Sequence, residues 1–357
     1  MNEVNHGEPP DNAGTSSPEQ PFFTPIPDVG IDITNRCNLS CRHCYNDSGT
    51  NPVQELDMDR ILPLLDELRD FGQKYLQVSG GEPPRHPAFH QIVEAARKRG
   101  MLVSFNTNGV YDKTVRTRLE GLEFGRVAVS LDGMRDNNDR IRGQGTFESV
   151  LGSLPLLKSI AREVWVSVHV FRSNLADVAP AVELAHREGV NVKFSTLRPI
   201  GRARIHMGDE IPTAEDFLDV VRKVVKLRKA HPHMRIKTDF DILPMASKPI
   251  RPLPPEKTAC PAGRSRLNVN FDGYVYPCSF LVTPDRRFAV GRLGDGSIAE
   301  MWRDSPVLQR LRTVRKCEAC RRCAAYGSTC VGGCTAMAYY VTGRLDGRDP
   351  LCFADKL

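Results

Sequence analysis

Between about residue 26 and about residue 235, short β-branched runs alternate with longer runs whose apolar residues recur at helical spacing. Gly30–Thr34, Tyr75–Ser79, Leu102–Asn106, Arg126–Leu131, Val164–Val170 and Val192–Leu197 read as strands. Met58–Phe71, Ala88–Gly100, Lys113–Gly121, Phe147–Ala161, Leu175–Glu188 and Ala214–Ala230 read as amphipathic helices. Asp57 and Thr213 stand at N-cap positions, and Gly100 and Gly189 at helix exits, where a left-handed cap suits glycine. Strict strand–helix alternation predicts an α/β fold with a parallel sheet and right-handed crossovers. Six such units make a partial (β/α)6 TIM-like barrel, with its chemistry at the carboxyl ends of the strands.

The polar and glycine-rich breaks gather at that rim. Strand one runs into a cysteine loop, and strand two into Ser79-Gly80-Gly81-Glu82-Pro83. Strand three ends in Asn106-Thr107-Asn108-Gly109, strand four in Ser130-Leu131-Asp132-Gly133, and strand six in Leu197-Arg198-Pro199-Ile200-Gly201-Arg202. Glycine and proline mark any strand-to-helix turn, but five such breaks at one rim point to a site. The first loop reads Cys37-Asn-Leu-Ser-Cys41-Arg-His43-Cys44. Three thiolates on one short loop hold three corners of a [4Fe-4S] cube and leave one iron open, which marks a reactive cluster.

Composition adds bounds. The chain of 357 residues is 40% hydrophobic and 26% charged, which is ordinary for one large domain and a smaller one. A net charge of +6 permits an acidic partner without requiring nucleic acid. Residues 1–25 carry turn formers and no hydrophobic period, which predicts a disordered tail and no signal peptide. No apolar stretch has the length of a membrane span. The 11 cysteines fall in CxxC-type clusters and read as metal ligands in a reducing cytoplasm. The barrel is expected over 26–235, a proline-containing connector over 236–256, and a cysteine-rich domain over 257–357. In that last part Leu267–Asn270 and Tyr274–Tyr276 flank an Asp-Gly turn and predict a hairpin, and one helix is expected over Ile298–Arg312.

CxxxCxxC and Gly80-Gly81-Glu82-Pro83 together resemble the radical S-adenosylmethionine (SAM) superfamily. The resemblance implies that SAM chelates the fourth iron. One electron then cleaves SAM to a 5'-deoxyadenosyl radical that takes a substrate hydrogen. It places His43, Gly80, Gly81, Glu82, Asn108, Ser130, Arg142 and Leu197 around SAM: Gly81 at its amine, Arg142 at its carboxylate, His43 and Leu197 at adenine. Asn138 stands where many relatives carry histidine. No catalytic residue is assigned.

The tail resembles the SPASM domain, which carries one or two auxiliary [4Fe-4S] clusters. Its cysteines are Cys260, Cys278, Cys317, Cys320, Cys323, Cys330, Cys334 and Cys352. The family topology gives Cys320, Cys323, Cys330 and Cys352 to one cluster and Cys260, Cys278 and Cys334 to the other. Two registers stay open, because Cys317–Cys320 can serve as the CxxC pair in place of Cys320–Cys323. Cys317 either completes the second cluster or leaves it with an open iron. The resemblance implies a flavodoxin or ferredoxin donor, for which Arg312, Arg315, Lys316, Arg321 and Arg322 offer a basic face. The substrate is a ribosomally made peptide or, in the alternative, a tetrapyrrole, sugar or nucleoside intermediate. The short N-terminal tail cannot hold a leader-binding module, so a separate leader-peptide-binding protein is expected for a peptide. Ser279 stands where sulfatase maturases carry an aspartate, which argues against that activity. A zinc-ribbon protein binding nucleic acid would explain the cysteines and charge but not the rim motifs; iron against zinc content separates the two.

Overall fold

The computed structural model describes residues 24, 27–49, 52–239, 259–327 and 330–356. In chain order the core comprises β1 Asp28–Asp32, α1 Met58–Asp70, β2 Tyr75–Ser79, α2 Phe89–Lys98, β3 Leu102–Thr107, α3 Lys113–Leu119, β4 Phe124–Ser130, α4 Arg135–Arg142 and α5 Thr146–Ile160. It continues with β5 Ala161–Val170, α6 Val178–Arg187, β6 Asn191–Thr196, α7 Arg202–His206, α8 Ala214–Ala230 and β7 Ile236–Thr238. The tail adds β8 Arg266–Val269, β9 Tyr274–Tyr276, β10 Gly291–Arg292, α9 Ile298–Asp304, α10 Pro306–Thr313, α11 Glu318–Arg321 and α12 Thr335–Thr342.

All ten strands belong to one sheet, in the order β10-β9-β8-β1-β2-β3-β4-β5-β6-β7. β1 to β7 run parallel, as the alternation predicts. The hairpin forms as expected, β8 against β9, but β8 also pairs in parallel with β1, Asp28 opposite Arg266 and Ile31 opposite Val269. The tail therefore extends the core sheet. Residues 240–256 of the expected connector lie outside the described residues, as do all of residues 1–25 except Thr24. The Thr24 N–H donates to the Arg264 carbonyl, and Trp302 Nε1 donates to the Thr24 carbonyl.

Period-2 alternation divides the sheet faces. Val78, Val103, Phe105, Val127, Val129, Val166, Val168 and Phe194 turn to the helices and are buried. Gln77, Asn106, Ala128, Ser130, Ser167, His169 and Lys193 turn to the lumen and keep accessible surface. A polar lumen open at the rim is thus built into the strands. Asp57 and Thr213 cap α1 and α8 as expected, and Gly100 and Gly189 take φ of +77° and +66°.

Two expectations change. The helix expected over Ile298–Arg312 is two helices, broken where Ser305 is extended before Pro306. Proline disfavours helical geometry in its predecessor and suits the first position of a new helix. α4 was not expected: its charged sequence has no apolar period, and only Ile141 is a buried apolar residue on it.

Candidate functional site

The cysteine loop is clamped from three sides. Gly81 N–H donates to the Thr34 carbonyl at 2.6 Å and Glu82 N–H to the Arg36 carbonyl at 2.8 Å. A Cβ on Gly81 would lie 2.4 Å from the Arg36 oxygen, and one on Gly80 2.4 Å from the Thr34 oxygen. The two glycines thus let strand two approach the cysteine loop, where the Gly81 N–H is engaged. From α4, the Ile141 carbonyl accepts from Arg42 N–H at 3.0 Å. From the strand-six loop, Arg202 Nε donates to the Cys41 carbonyl at 2.9 Å and Arg202 N–H to the Cys44 carbonyl at 3.0 Å. Gly81→Ala is expected to push this loop aside and lower iron loading; a variant with unchanged iron and sulfide would show that the loop tolerates the displacement.

Each sulfur has a donor turned on it. Asn108 Nδ2 is 3.6 Å from Cys37 Sγ, Arg142 Nη1 is 3.9 Å from Cys41 Sγ, and Ser48 N–H is 3.3 Å from Cys44 Sγ. Burial, with Glu82 adding, pushes the Cys37 thiol up to about 12, and burial raises Cys41 as well. Three sulfurs on one loop, each receiving an N–H donor, fit iron ligation.

Glu82 is not a solvated loop charge. It is fully buried, accepts from Thr107 Oγ1 at 2.5 Å and Asn108 N–H at 2.7 Å, and is raised to about 7 by burial against those bonds. It fixes the strand-three rim, and with it Asn108.

Asp132 is the hub that the sequence reading left without a role. It is fully buried, with Arg142 Nε at 2.7 Å, His43 Nε2 at 3.0 Å and His169 Nδ1 at 3.2 Å. Burial works against its charge, but Arg142 and then His43 outweigh it and hold the carboxyl well below the usual range. Burial pulls His43 down to about 4, so its ring is neutral. The three ligand atoms of His43, Asp132 and His169 lie within 4.8 Å of one another, but the Arg142 guanidinium already supplies the cation there. His43 Nδ1 is buried with no hydrogen-bond partner among the described residues. Asn138, in place of histidine, is wholly buried; its Oδ1 accepts from Asp132 N–H at 3.0 Å and its Nδ2 donates to Thr146 Oγ1 at 2.9 Å. Asparagine thus joins the strand-four rim to α5. Ser130 ends β4 facing the lumen, opposite Ser167. Leu197 is buried against Ile141 and Phe171, and its N–H donates to the Val170 carbonyl.

A second buried carboxylate, Asp32, was also missed. It accepts from Tyr45 Oη at 3.3 Å and Asn268 Nδ2 at 2.9 Å, and so ties β1 to the cysteine loop and to the tail. Its signal is an acid that ends the strand before the cysteine loop, beside the apolar Val29 and Ile31 of the same strand. Burial raises it to about 6 against its hydrogen bonds. A folded carboxyl with a raised pKa binds its proton more tightly than the unfolded chain, where it is about 3.9. Its contribution to stability therefore falls as pH climbs from about 4 through 6. Between pH 5 and pH 7 the wild type is expected to lose roughly 1 kcal/mol relative to Asp32→Asn, read from urea midpoints. A pH-independent difference would contradict this.

In the tail, Cys320, Cys323, Cys330 and Cys352 line a cavity of about 270 Å³. Cys278 faces Cys260 and Cys334, and burial pushes its thiol up to about 12. Backbone N–H groups of Phe280 and Leu281 point at Cys278, and that of Met337 at Cys334 Sγ at 3.5 Å. Both sets suit thiolates on iron. Cys317 interacts with Cys320 but does not line that cavity. The basic face is also smaller than the sequence suggested. Arg312 is buried, donating to the Gly263 and Trp302 carbonyls, and Lys316 is buried beside Thr335. Arg315, Arg321 and Arg322 remain exposed. Among the described residues no helix is long and apolar enough to cross a membrane.

Comparison with known proteins agrees with this architecture. Residues 31–185 match the radical SAM superfamily and residues 260–324 an iron–sulfur cluster-binding domain, SPASM. The mycofactocin maturase MftC of Mycobacterium tuberculosis is 33% identical over 90% of this chain and 81% of its own length. An AdoMet-dependent heme synthase of Oleidesulfovibrio alaskensis is 26% identical over 91% of this chain and 86% of its own length. Streptococcus suis SuiB, solved with S-adenosylmethionine and also with its precursor peptide SuiA, shares the fold at a TM-score of 0.74 with 14% identity, over 92% of this chain; the match takes in 77% of SuiB in the first structure and 76% in the second. The chain belongs to the radical SAM superfamily, as an enzyme with a SPASM domain that uses SAM, a [4Fe-4S] cluster and auxiliary iron–sulfur clusters.

Proposed function

We propose that this enzyme matures a ribosomally made peptide. The observation that carries the reading is kinship with the mycofactocin maturases along nearly the whole chain, barrel and tail together. The heme synthases are more distant at 26% identity, so a tetrapyrrole is the second reading.

Cys37, Cys41 and Cys44 would hold the reactive cluster beside SAM, and the two groups together would supply one-electron, hydrogen-abstracting chemistry. The chain's own residues do the placing. Gly80 to Glu82 and Arg202 fix the cysteine loop. Arg142 keeps its charge against burial through Asp132, and its remaining N–H groups serve the SAM carboxylate. The unpartnered His43 Nδ1 suits the adenine amino group as an acceptor. Ser130 and Asn108 frame SAM from the lumen side, and Leu197 closes over adenine. Asn106, Ser167, His169 and Lys193 line the space left for substrate. Cys320, Cys323, Cys330 and Cys352 hold one auxiliary cluster, and Cys260, Cys278 and Cys334 another. A low-potential flavodoxin or ferredoxin docks at Arg315, Arg321 and Arg322, and a separate protein presents the leader peptide.

The test is anaerobic incubation of reconstituted enzyme with SAM, reductant and the small peptide encoded beside its gene. Mass spectrometry in water and in deuterated water reads bond formation and epimerisation respectively. A peptide mass unchanged in both, with SAM cleavage demonstrated in parallel, excludes that peptide.

A further inference from the structure

Arg198 leaves the end of β6 and reaches into the tail. Its Nε donates to Cys334 Sγ at 3.5 Å, its Nη1 to the Thr196 carbonyl at 3.2 Å, and its Nη2 is 2.9 Å from Asp239 Oδ2. The guanidinium lies 4.1 Å over the Phe280 ring, and Phe280 follows Cys278 by two residues. Tyr45, the residue after Cys44, meets the Phe280 ring edge-on at 5.9 Å. The Arg198 side chain is 7% exposed. An arginine this enclosed requires a reason, because removing its charge from water costs several kcal/mol.

We propose that Arg198 tunes the auxiliary cluster held by Cys260, Cys278 and Cys334, raising its reduction potential, and that Asp239 moderates the effect. The proposal rests on the reading that these three thiols hold a cluster. One-electron reduction adds one negative charge to a cluster already surrounded by thiolates. A cation buried against one of those sulfurs stabilises the reduced form more than the oxidised one. The N–H···S bond acts in the same direction by withdrawing charge from the thiolate. Asp239, bound to the same guanidinium, has the opposite sign and at 2.9 Å is closer to the cation than the sulfur at 3.5 Å. Arg198 is therefore a positioning and tuning residue that acts through Cys334, and it links the β6 rim of the barrel to the tail.

The experiment is an EPR-monitored redox titration of the fully reconstituted enzyme without substrate. The signal of the cluster in question is the one lost in Cys278→Ala. Arg198→Gln is expected to move its midpoint negative by at least the 59 mV that corresponds to a tenfold fall in the reduced-to-oxidised ratio of a one-electron couple. Arg198→Lys, which keeps the charge but loses the fork, shifts it less. Asp239→Asn moves it positive. Opposite signs for the two partners are what a packing role would not produce, and Asp239→Asn keeps the proposal testable if Arg198→Gln does not fold. The other two cluster potentials stay in place. An unmoved midpoint, or a shift of the same sign in both variants, overturns the role of Arg198 while leaving the cluster. Loss of no signal in Cys278→Ala overturns the ligand reading and the proposal with it.

Discussion

A variant with Cys37, Cys41 and Cys44 all changed to alanine is expected to make no 5'-deoxyadenosine while losing only about one cluster's worth of iron, roughly four atoms per chain. The loop supplies all three sulfurs of the reactive centre, each with its own N–H donor. The tail sulfurs form sets apart from the loop, four around their cavity and Cys278 with Cys260 and Cys334. Metal binding at one place therefore does not depend on sulfur from the other. The loop itself is held by backbone bonds from Gly81, Glu82, Arg42 and Arg202, so alanines leave its path intact. Iron and sulfide assay together with chromatography of the nucleoside product check this. Undiminished 5'-deoxyadenosine would remove the assignment.

Asp132→Asn carries the second large effect, on stability as well as on SAM binding. The aspartate compensates a buried Arg142 and aligns two histidines. An asparagine turns an N–H donor toward Arg142 or His43 and leaves the guanidinium uncompensated. Removing one partner of a buried pair costs about 3–5 kcal/mol, far more than an exposed one. The loss is read from the urea midpoint of the metal-free protein at constant m value. Arg142→Met placed on top of Asp132→Asn recovers part of that loss, because the unpaired cation is gone. A single-variant cost below about 1 kcal/mol would show that the pair is solvent-screened and not a hub.

The parallel strands and the rim were legible because both follow from local pattern: alternation, helix period, and glycine where chains must approach. The Asp132 hub was not, because its partners come from residues 43, 142 and 169, which no window brings together. α4 escaped because it is held by Asn138, Asp139 and Arg142, not by an apolar stripe. The basic run was overread for a traceable reason. Arg312 stands four residues after Leu308, which puts it on the buried face of α10, where its stem packs and its head finds carbonyls. The same helical spacing that marks core leucines could have marked this arginine. The tail register stayed open in sequence because Cys320 has a cysteine three residues away on either side; in the fold Cys320, Cys323, Cys330 and Cys352 line one cavity.

β1 is flanked by β2 on one side and by β8 on the other. During synthesis the first neighbour arrives early, but the second emerges only after the rest of the barrel has left the ribosome. Until then β1 is an open edge carrying the Asp32 carboxyl without its Asn268 partner. Closing that edge late makes it a long-range step, and such steps are slow and leave pairing surface exposed in the meantime. A ribosome-bound chain ending before β8 therefore holds a barrel with an unsealed seam along β1, the strand that leads into the cysteine loop.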